Sequence, residues 1–204
     1  MGASLFVNSL IVNPLFDLYF LKHYQDRWEA LKKSLLQDER QILRLNKFSD
    51  QSSEPDLQSC DFLENCYWKP EAYTLKKNDL NLYNYYIMDP ASVIVALALE
   101  VEPGEKVLDM CAAPGGKSLI LAEKMRTGSL ISNEISEARR ERLLKVFQQY
   151  IPKDQRLFIS VKGLDANLFG LKMPGQFDRI LLDAPCSGER HLLENPKEFS
   201  LWTE

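Results

Sequence analysis

An apolar segment that runs through an acid into a glycine-rich turn constrains the fold of this chain more than any other feature. Residues 107–118 read Val-Leu-Asp-Met-Cys-Ala-Ala-Pro-Gly-Gly-Lys-Ser. This order predicts a buried strand ending near Asp109, a tight turn over residues 114–116 and a helix that begins near Lys117. Such a turn directs free backbone N–H groups at a ligand, and its glycines allow close approach. The segment therefore predicts a site for a nucleotide-type cofactor.

Two ligands compete for this turn. Residues 111–118 match the phosphate-loop pattern G-x-x-x-x-G-K-[ST] except at the first position, where Cys111 replaces glycine. A side chain there would crowd both the turn and the phosphates, which counts against ATP or GTP. S-adenosylmethionine carries no phosphate, so its loop needs close backbone approach without a full phosphate cradle. The residues favour S-adenosylmethionine, and a P-loop-like NTP-binding protein is the alternative.

Composition sets broad limits on the chain. With 204 residues and 45% hydrophobic side chains, it can bury one good core with a smaller appendage. The four cysteines have no paired spacing, which fits a reducing compartment, and we expect no metal site. The apolar start lacks a basic segment and is interrupted by polar residues, so we expect neither a signal peptide nor a membrane span. A cytoplasmic location follows by default, with a mitochondrial one as the alternative in a eukaryote.

Residues 1–82 form the first predicted domain, a mainly helical region with a polar linker near 50–59. Between Phe16 and Phe48, apolar and aromatic side chains recur at helical spacing, which predicts one long or two short amphipathic helices. An aromatic stripe of this kind can stack RNA bases, but packing into a core is the favoured interpretation.

Residues 83–204 form the second predicted domain, an open parallel α/β sheet with helices. Asp89 and Pro90 predict the start of a helix that runs to Glu100. Four strands are expected near 106–110, 129–133, 157–161 and 179–183, and further helices near 116–126 and 136–150. A strand order of 3-2-1-4 would leave the fourth strand as an open edge.

Acidic side chains follow the predicted strands, where ligands bind in doubly wound sheets. Glu134 can accept the hydroxyl hydrogens of a ribose, or it can act as a helix N-terminal acid. Asp165 can contact an adenine amino group or lie in solvent. Asp183 can bond the methionine end of the cofactor or the amino edge of a base, although an NTPase would use it for magnesium.

Two further groups near these acids have competing interpretations. The thiol of Cys186 can add to C6 of a pyrimidine and make C5 nucleophilic, or it can be an inert buried sulfur. Arg139, Arg140 and Arg142 alternate with glutamates on the helix after Glu134, which predicts a solvated face.

The motifs Asp-Met-Cys-Ala-Ala-Pro-Gly-Gly-Lys at 109–117 and Asp-Ala-Pro-Cys at 183–186 together resemble those of the Sun/NSUN family of RNA cytosine-C5 methyltransferases. The N-terminal region is similar to the organellar rRNA-methylating branch, and residues 85–92 resemble the segment before the family's cofactor loop. The resemblance implies a Rossmann-like class I methyltransferase fold, S-adenosylmethionine as cofactor, and rRNA or tRNA as substrate. It implies that the cofactor is held by Cys111, Ala112, Ala113, Pro114, Gly115, Gly116, Lys117, Glu134, Asp165 and Asp183.

The resemblance also implies a catalytic role for Cys186, which matches the family's Pro-Cys cysteine. That cysteine assists release of the methylated base, and the attacking thiol normally comes from a later Thr-Cys motif. No Thr-Cys dipeptide occurs in this sequence. We therefore expect a C-terminally truncated enzyme that binds cofactor without transferring methyl groups alone. The alternatives are Cys186 as the nucleophile, or a non-catalytic S-adenosylmethionine-binding subunit.

Overall fold

The computed structural model describes residues 13–37, 40–49, 54, 56–125, 127–185 and 188–203. They belong to two compact units, residues 1–39 with 186–204 and residues 40–185. The helices are α1 (Pro14–Tyr24), α2 (Trp28–Leu35), α3 (Pro90–Leu97), α4 (Gly116–Lys124), α5 (Glu137–Tyr150), α6 (Phe169–Lys172), α7 (Glu189–Glu194) and α8 (Pro196–Ser200). The strands are β1 (Ile42–Leu45), β2 (Cys66–Trp68), β3 (Tyr85–Met88), β4 (Lys106–Asp109), β5 (Ser129–Asn133), β6 (Ile159–Lys162) and β7 (Arg179–Leu181).

The smaller unit is helical and closes around aromatic rings. Asn13 starts α1 because its Oδ1 accepts hydrogen bonds from the amides of Leu15 and Phe16, at 3.1 and 3.3 Å. Phe16 and Trp28 are 0% and 2% exposed, and Phe199 of α8 packs against Phe16 with its ring edge. The prediction that the aromatic stripe forms a core is thus confirmed for these rings.

The larger unit contains a parallel sheet in the order β6-β5-β4-β7. Leu108 at its centre pairs with Ile131 on one side and Ile180 on the other. This arrangement confirms the predicted order 3-2-1-4 and all four strands. Among the described residues β7 is an edge of the sheet, and Ile180 and Leu182 are 50% and 62% exposed there. The buried core lies between this sheet and α4 and α5.

A second, antiparallel sheet has the order β2-β1-β3, and its strands β1 and β2 lie in the region predicted to be mainly helical. Leu43 of β1 pairs with both Tyr67 and Ile87. The helical prediction therefore holds for residues 14–35 but is wrong for 42–45. Backbone pairing on both sides of β1 outweighs its apolar spacing, because strand preference depends on the partners that a segment meets in the fold.

The antiparallel sheet is fastened to α4 by a buried ion pair. The Arg44 guanidinium donates to both carboxylate oxygens of Glu123, with side chains only 5% and 1% exposed. The bidentate geometry satisfies both charges away from water. This contact holds β1 against the helix that begins at the glycine-rich turn.

The helix after Asp89 forms as predicted but ends at Leu97, earlier than Glu100. The Asp89 carboxylate accepts the Ala91 amide hydrogen at 2.7 Å, which confirms the cap. No helix in the described part of the chain is both long and apolar enough to cross a bilayer.

Candidate cofactor site

The glycine-rich turn begins α4 at the carboxyl end of β4. Gly115 is the cap of the helix and has φ 123°, a conformation that disfavours other residues. Gly116 needs its small size for another reason, since a Cβ there would lie 2.7 Å from Cε1 of Tyr86. The two glycines thus shape the turn and allow β3 to approach it.

A cavity of about 220 Å³ opens beside this turn. Its lining combines two segments and the end of β7, namely Tyr86, Ile87, Met88, Asp89, Ser92, Cys111, Ala112, Ala113, Pro114, Gly116, Lys117 and Asp183. Seven of the residues proposed from the sequence therefore meet at one cavity. Its other wall comes from residues 86–92, which the sequence analysis singled out by resemblance without assigning them contacts.

Asp109, at the end of β4, is a buried acid beside the turn. It is 1% exposed, and its Oδ2 accepts a 2.7 Å hydrogen bond from the Ser118 hydroxyl, which in turn lies 2.8 Å from Oγ of Ser132. Burial raises the pKa of Asp109 to about 6, against the opposing effect of the Ser118 hydrogen bond. Its buried Oδ1 accepts no hydrogen bond of good geometry from the described residues, although the backbone N–H of Cys111 acts to lower the pKa of the same carboxyl.

Lys117 connects three elements around the cavity. Its Nζ lies 2.7 Å from Oδ2 of Asp183 and donates a 3.0 Å hydrogen bond to Oγ of Ser92. The contact neutralises one carboxylate at the end of β7 and draws α3 toward α4. The ammonium is thereby held by protein groups, which differs from a phosphate-binding lysine directed at a ligand.

Glu134 lies beyond the cavity lining but is joined to it through Arg139. One carboxylate oxygen of Glu134 accepts the Ser136 amide hydrogen at 3.0 Å, as a helix N-terminal acid does. The other, Oε2, is buried, lies 3.5 Å from Nε of Arg139 and accepts no hydrogen bond from the described residues. Arg139 also donates to the Ala113 carbonyl at 2.9 Å. Glu134 therefore serves the helix with one oxygen and pairs with Arg139 through the second.

The arginines after Glu134 bear out the expected solvated face only in part, since Arg142 is exposed whereas Arg139 and Arg140 are half-buried. Arg139 faces the glycine-rich turn, and Arg140 donates to the carbonyls of Glu134 and Ile135 at 2.9 and 3.2 Å. A Cβ on Gly163 would lie 2.5 Å from Nη1 of Arg140, so this loop also packs closely on the guanidinium. Alternating charges on a helix do not reveal which arginines reach back to carbonyls of the preceding loops.

Cys111 lines the cavity with a thiol that is not activated. Burial raises the pKa of the Cys111 thiol, and the nearby carboxylates of Glu134 and Asp109 raise it further. A neutral thiol is a weak nucleophile. Cys111 is therefore suited to contact a ligand and not to attack one.

Asp165 is a candidate residue that does not line the cavity. Asp165 is exposed, and its Oδ1 accepts hydrogen bonds from the backbone and side chain of Asn167, both at 3.0 Å, where it caps a short 3-10 turn. Cys186 lies outside the described residues. Within the described ranges, no group of three or more histidines, cysteines and acids could hold a metal ion.

The comparisons with known proteins identify the family. The family model for the 16S rRNA methyltransferase RsmB/F matches residues 96–198, half of the chain. The chain belongs to the RsmB/F methyltransferase family. This membership confirms the resemblance to RNA cytosine-C5 methyltransferases that the two motifs carried.

Individual relatives agree with this membership, and a solved structure agrees with the fold. A mitochondrial tRNA (cytosine(34)-C(5))-methyltransferase of Danio rerio is 38% identical, over 68% of this chain and 39% of its own length. The 5-cytosine rRNA methyltransferase NSUN4 of Bos taurus is 30% identical, over 87% and 57%. A methyltransferase homolog protein from Pyrococcus horikoshii superposes with a TM-score of 0.68 at 23% identity, over 87% of this chain and 65% of that one, which confirms the fold. The chain thus spans only 39% and 57% of the lengths of these two curated relatives.

Proposed function

We propose that this chain binds S-adenosylmethionine and contributes to methyl transfer to C5 of cytosine in RNA. Family membership supports the reaction class. The Bos taurus relative is named an rRNA enzyme and the Danio rerio relative a tRNA enzyme, and our proposal favours rRNA because the N-terminal resemblance is to the rRNA branch. The Danio rerio name includes a mitochondrial location, which supports mitochondria over the cytoplasm for this chain.

The observation that carries the cofactor assignment is the charge and hydrogen-bonding character of the site. Asp109 and Glu134, at the ends of adjacent strands, each bury a carboxylate oxygen that accepts no hydrogen bond of good geometry from the described residues. Oε2 of Glu134 is paired only with Nε of Arg139, at 3.5 Å. Buried acceptors are normally satisfied, so these two positions fit a ligand rich in hydroxyl and ammonium donors. A nucleoside triphosphate would bring several negative charges beside these acids, and Lys117 is already engaged by Asp183. S-adenosylmethionine carries cationic sulfonium and ammonium groups and suits this surrounding.

Different residues of the site contact different parts of the proposed ligand. The turn over 111–117 contacts the cofactor through its close-packed backbone, and Glu134 accepts ribose hydroxyls through its second oxygen. Asp183 bonds the methionine end or the amino edge of the target base, and Asp165 reaches the adenine amino group. When bound, the cofactor supplies the electrophilic methyl group. Cys186, three residues after Asp183, is the proposed catalytic thiol.

Calorimetric titration of the folded 204-residue chain with S-adenosylmethionine, and separately with ATP and magnesium, tests the assignment. We expect saturable binding of S-adenosylmethionine alone. Glu134→Gln should weaken it about tenfold, since a charged acceptor becomes neutral, whereas Glu137→Gln at the exposed start of α5 should leave it unchanged. Binding of ATP instead, or equal effects of the two variants, would contradict the proposal.

A further inference from the structure

The side chain of Asn133, the last residue of β5, joins two loops that flank the proposed cofactor site. Its Nδ2 donates to the carbonyls of Met110 and Leu164 at 3.1 and 2.9 Å, and its Oδ1 accepts the Leu164 amide hydrogen at 2.9 Å. The residue is 1% exposed, so water does not replace these bonds. Its own carbonyl accepts the Ala112 amide hydrogen at 2.8 Å. One buried residue therefore fixes the exits of β4 and β6 relative to β5.

Each loop that Asn133 holds leads directly into a proposed ligand-contacting residue. Met110 precedes Cys111, Leu164 precedes Asp165, and Asn133 itself precedes Glu134. Main-chain hydrogen bonds continue just past the strand ends, from the Ala112 amide to the Asn133 carbonyl at 2.8 Å and from the Glu134 amide to the Lys162 carbonyl at 3.0 Å. The amide side chain extends that connection beyond the last paired residues.

We propose that Asn133 is a positioning residue that sets the separation of the β4 and β6 exit loops and thereby the affinity for S-adenosylmethionine. The inference rests on the proposed function of the site. Asn133 acts through the loops and makes no contact with the ligand itself. In Asn133→Asp, a carboxylate oxygen replaces the Nδ2 amide that donates to two carbonyls. That oxygen cannot donate and would face the two carbonyl oxygens. It also adds negative charge near Asp109 and Glu134.

The chain contains a closely matched control in Asn46. This residue is also 1% exposed, its Nδ2 donates to the carbonyls of Tyr83 and Tyr150 at 2.8 and 2.9 Å, and its Oδ1 accepts the Phe48 amide hydrogen at 3.1 Å. Asn46→Asp breaks the same pattern of bonds away from the cavity lining. A general loss of stability should therefore appear in both variants. Displacement of the loops at the cofactor site should appear only in Asn133→Asp.

The experiment measures melting temperature and, well below melting, the Kd for S-adenosylmethionine of the wild-type chain and both variants. We expect similar losses of stability, a Kd raised about tenfold in Asn133→Asp and a change below about twofold in Asn46→Asp. If either aspartate variant fails to fold, the pair Asn133→Ser and Asn46→Ser gives the same comparison.

The pH dependence of the Kd distinguishes a positioning role of Asn133 from a purely structural one, which would not change it. Burial raises the pKa of an introduced carboxyl, and its protonated form regains one donor. The ratio of the Asn133→Asp Kd to the wild-type Kd should therefore fall as the pH is lowered from 8 toward 5.5, while the Asn46→Asp ratio stays flat. Suppose that the wild-type chain binds S-adenosylmethionine but both asparagine variants raise the Kd equally, or the Asn133→Asp Kd ratio does not change with pH. Either result overturns the positioning role of Asn133 and leaves the proposed function intact. Absence of wild-type binding overturns the proposed function and this inference together.

Discussion

Substitution of Gly116 by alanine tests whether close packing of β3 on the glycine-rich turn shapes the site. The added Cβ would lie 2.7 Å from Cε1 and 3.3 Å from Cζ of Tyr86, and 3.4 Å from Cε of Met88. The Tyr86 ring cannot move away freely, because it packs edge-on against Tyr150 at a centroid distance of 5.0 Å. The turn and β3 must therefore separate, or the ring must change its position at the cavity wall.

The expected cost follows from two opposing contributions. Alanine in a helix is favoured over glycine by about 0.5–1 kcal/mol. Overpacking a well-filled site costs about 1–3 kcal/mol. The net prediction for Gly116→Ala is a destabilisation of about 1–2 kcal/mol, or a drop in melting temperature of about 2–8 °C for a chain of this size. We also expect weaker binding of S-adenosylmethionine, since Tyr86 lines the cavity.

Urea and thermal denaturation with Gly170→Ala as control would measure this effect. Gly170 lies within α6, and a Cβ there would meet nothing within 4 Å, so that variant should be neutral or slightly stabilising. Removing the ring in Tyr86→Leu should reduce the cost of the Gly116 substitution in a double-mutant cycle. Equal stability of the two glycine variants, or additive effects in the cycle, would refute the steric argument.

Three further outcomes follow from buried groups. The pKa of Asp109 is raised to about 6 from about 3.9, so the stability contributed by this group is complete below pH 4 and is lost as the pH rises through 6. The free energy of unfolding of the wild-type chain should therefore be lower at pH 7 than at pH 4, by on the order of 3 kcal/mol, in urea titrations. Asp109→Asn should remove this difference between the two pH values. Glu123→Gln should cost about 3 kcal/mol in thermal unfolding, because it leaves Arg44 buried without its counter-charge. As a control, Glu54→Gln breaks a more exposed ion pair and should cost less than about 1 kcal/mol. Phe16→Ala should destabilise the smaller unit by about 3–5 kcal/mol in near-ultraviolet circular dichroism melts, and an unchanged melt would contradict its place in that core.

Local signals in the sequence predicted the parallel sheet closely. Apolar runs ended in polar residues or were followed by turn residues. Three of the observed strands lie within their predicted ranges, whereas β6 begins two residues after the start of its predicted range and ends one residue after its end. The glycine-rich turn and the Asp89 cap were likewise predicted, because each depends on residues within a few positions. The sequence missed the antiparallel sheet of β1, β2 and β3, since strands of three or four residues acquire their stability from partners remote in the chain.

The candidate site divides in the same way. Residues 111–114, 116, 117 and 183 could be proposed from two motifs, and the cavity unites them. Asp165 and Glu134 were proposed from their positions after strands, yet only Glu134 is joined to the cavity loop, through Arg139. Asn133 could not be recognised from the sequence, because a buried asparagine at a strand end resembles any loop residue until its partners are known.

The sequence by itself determined the strands of the parallel sheet and their order, the glycine-rich turn and the family of this chain, since these depend on residue type and short spacing. Only the tertiary structure decided which arginines face the loops, which carboxylate oxygens are buried without donors, and how Asn133 fastens two strand exits. The bonds from Asn133 to Met110 and Leu164 and from Arg139 to Ala113 join residues more than 20 positions apart in the chain. Hydrogen bonding and burial at such separations are properties of the assembled fold, and they determine the chemistry of the site.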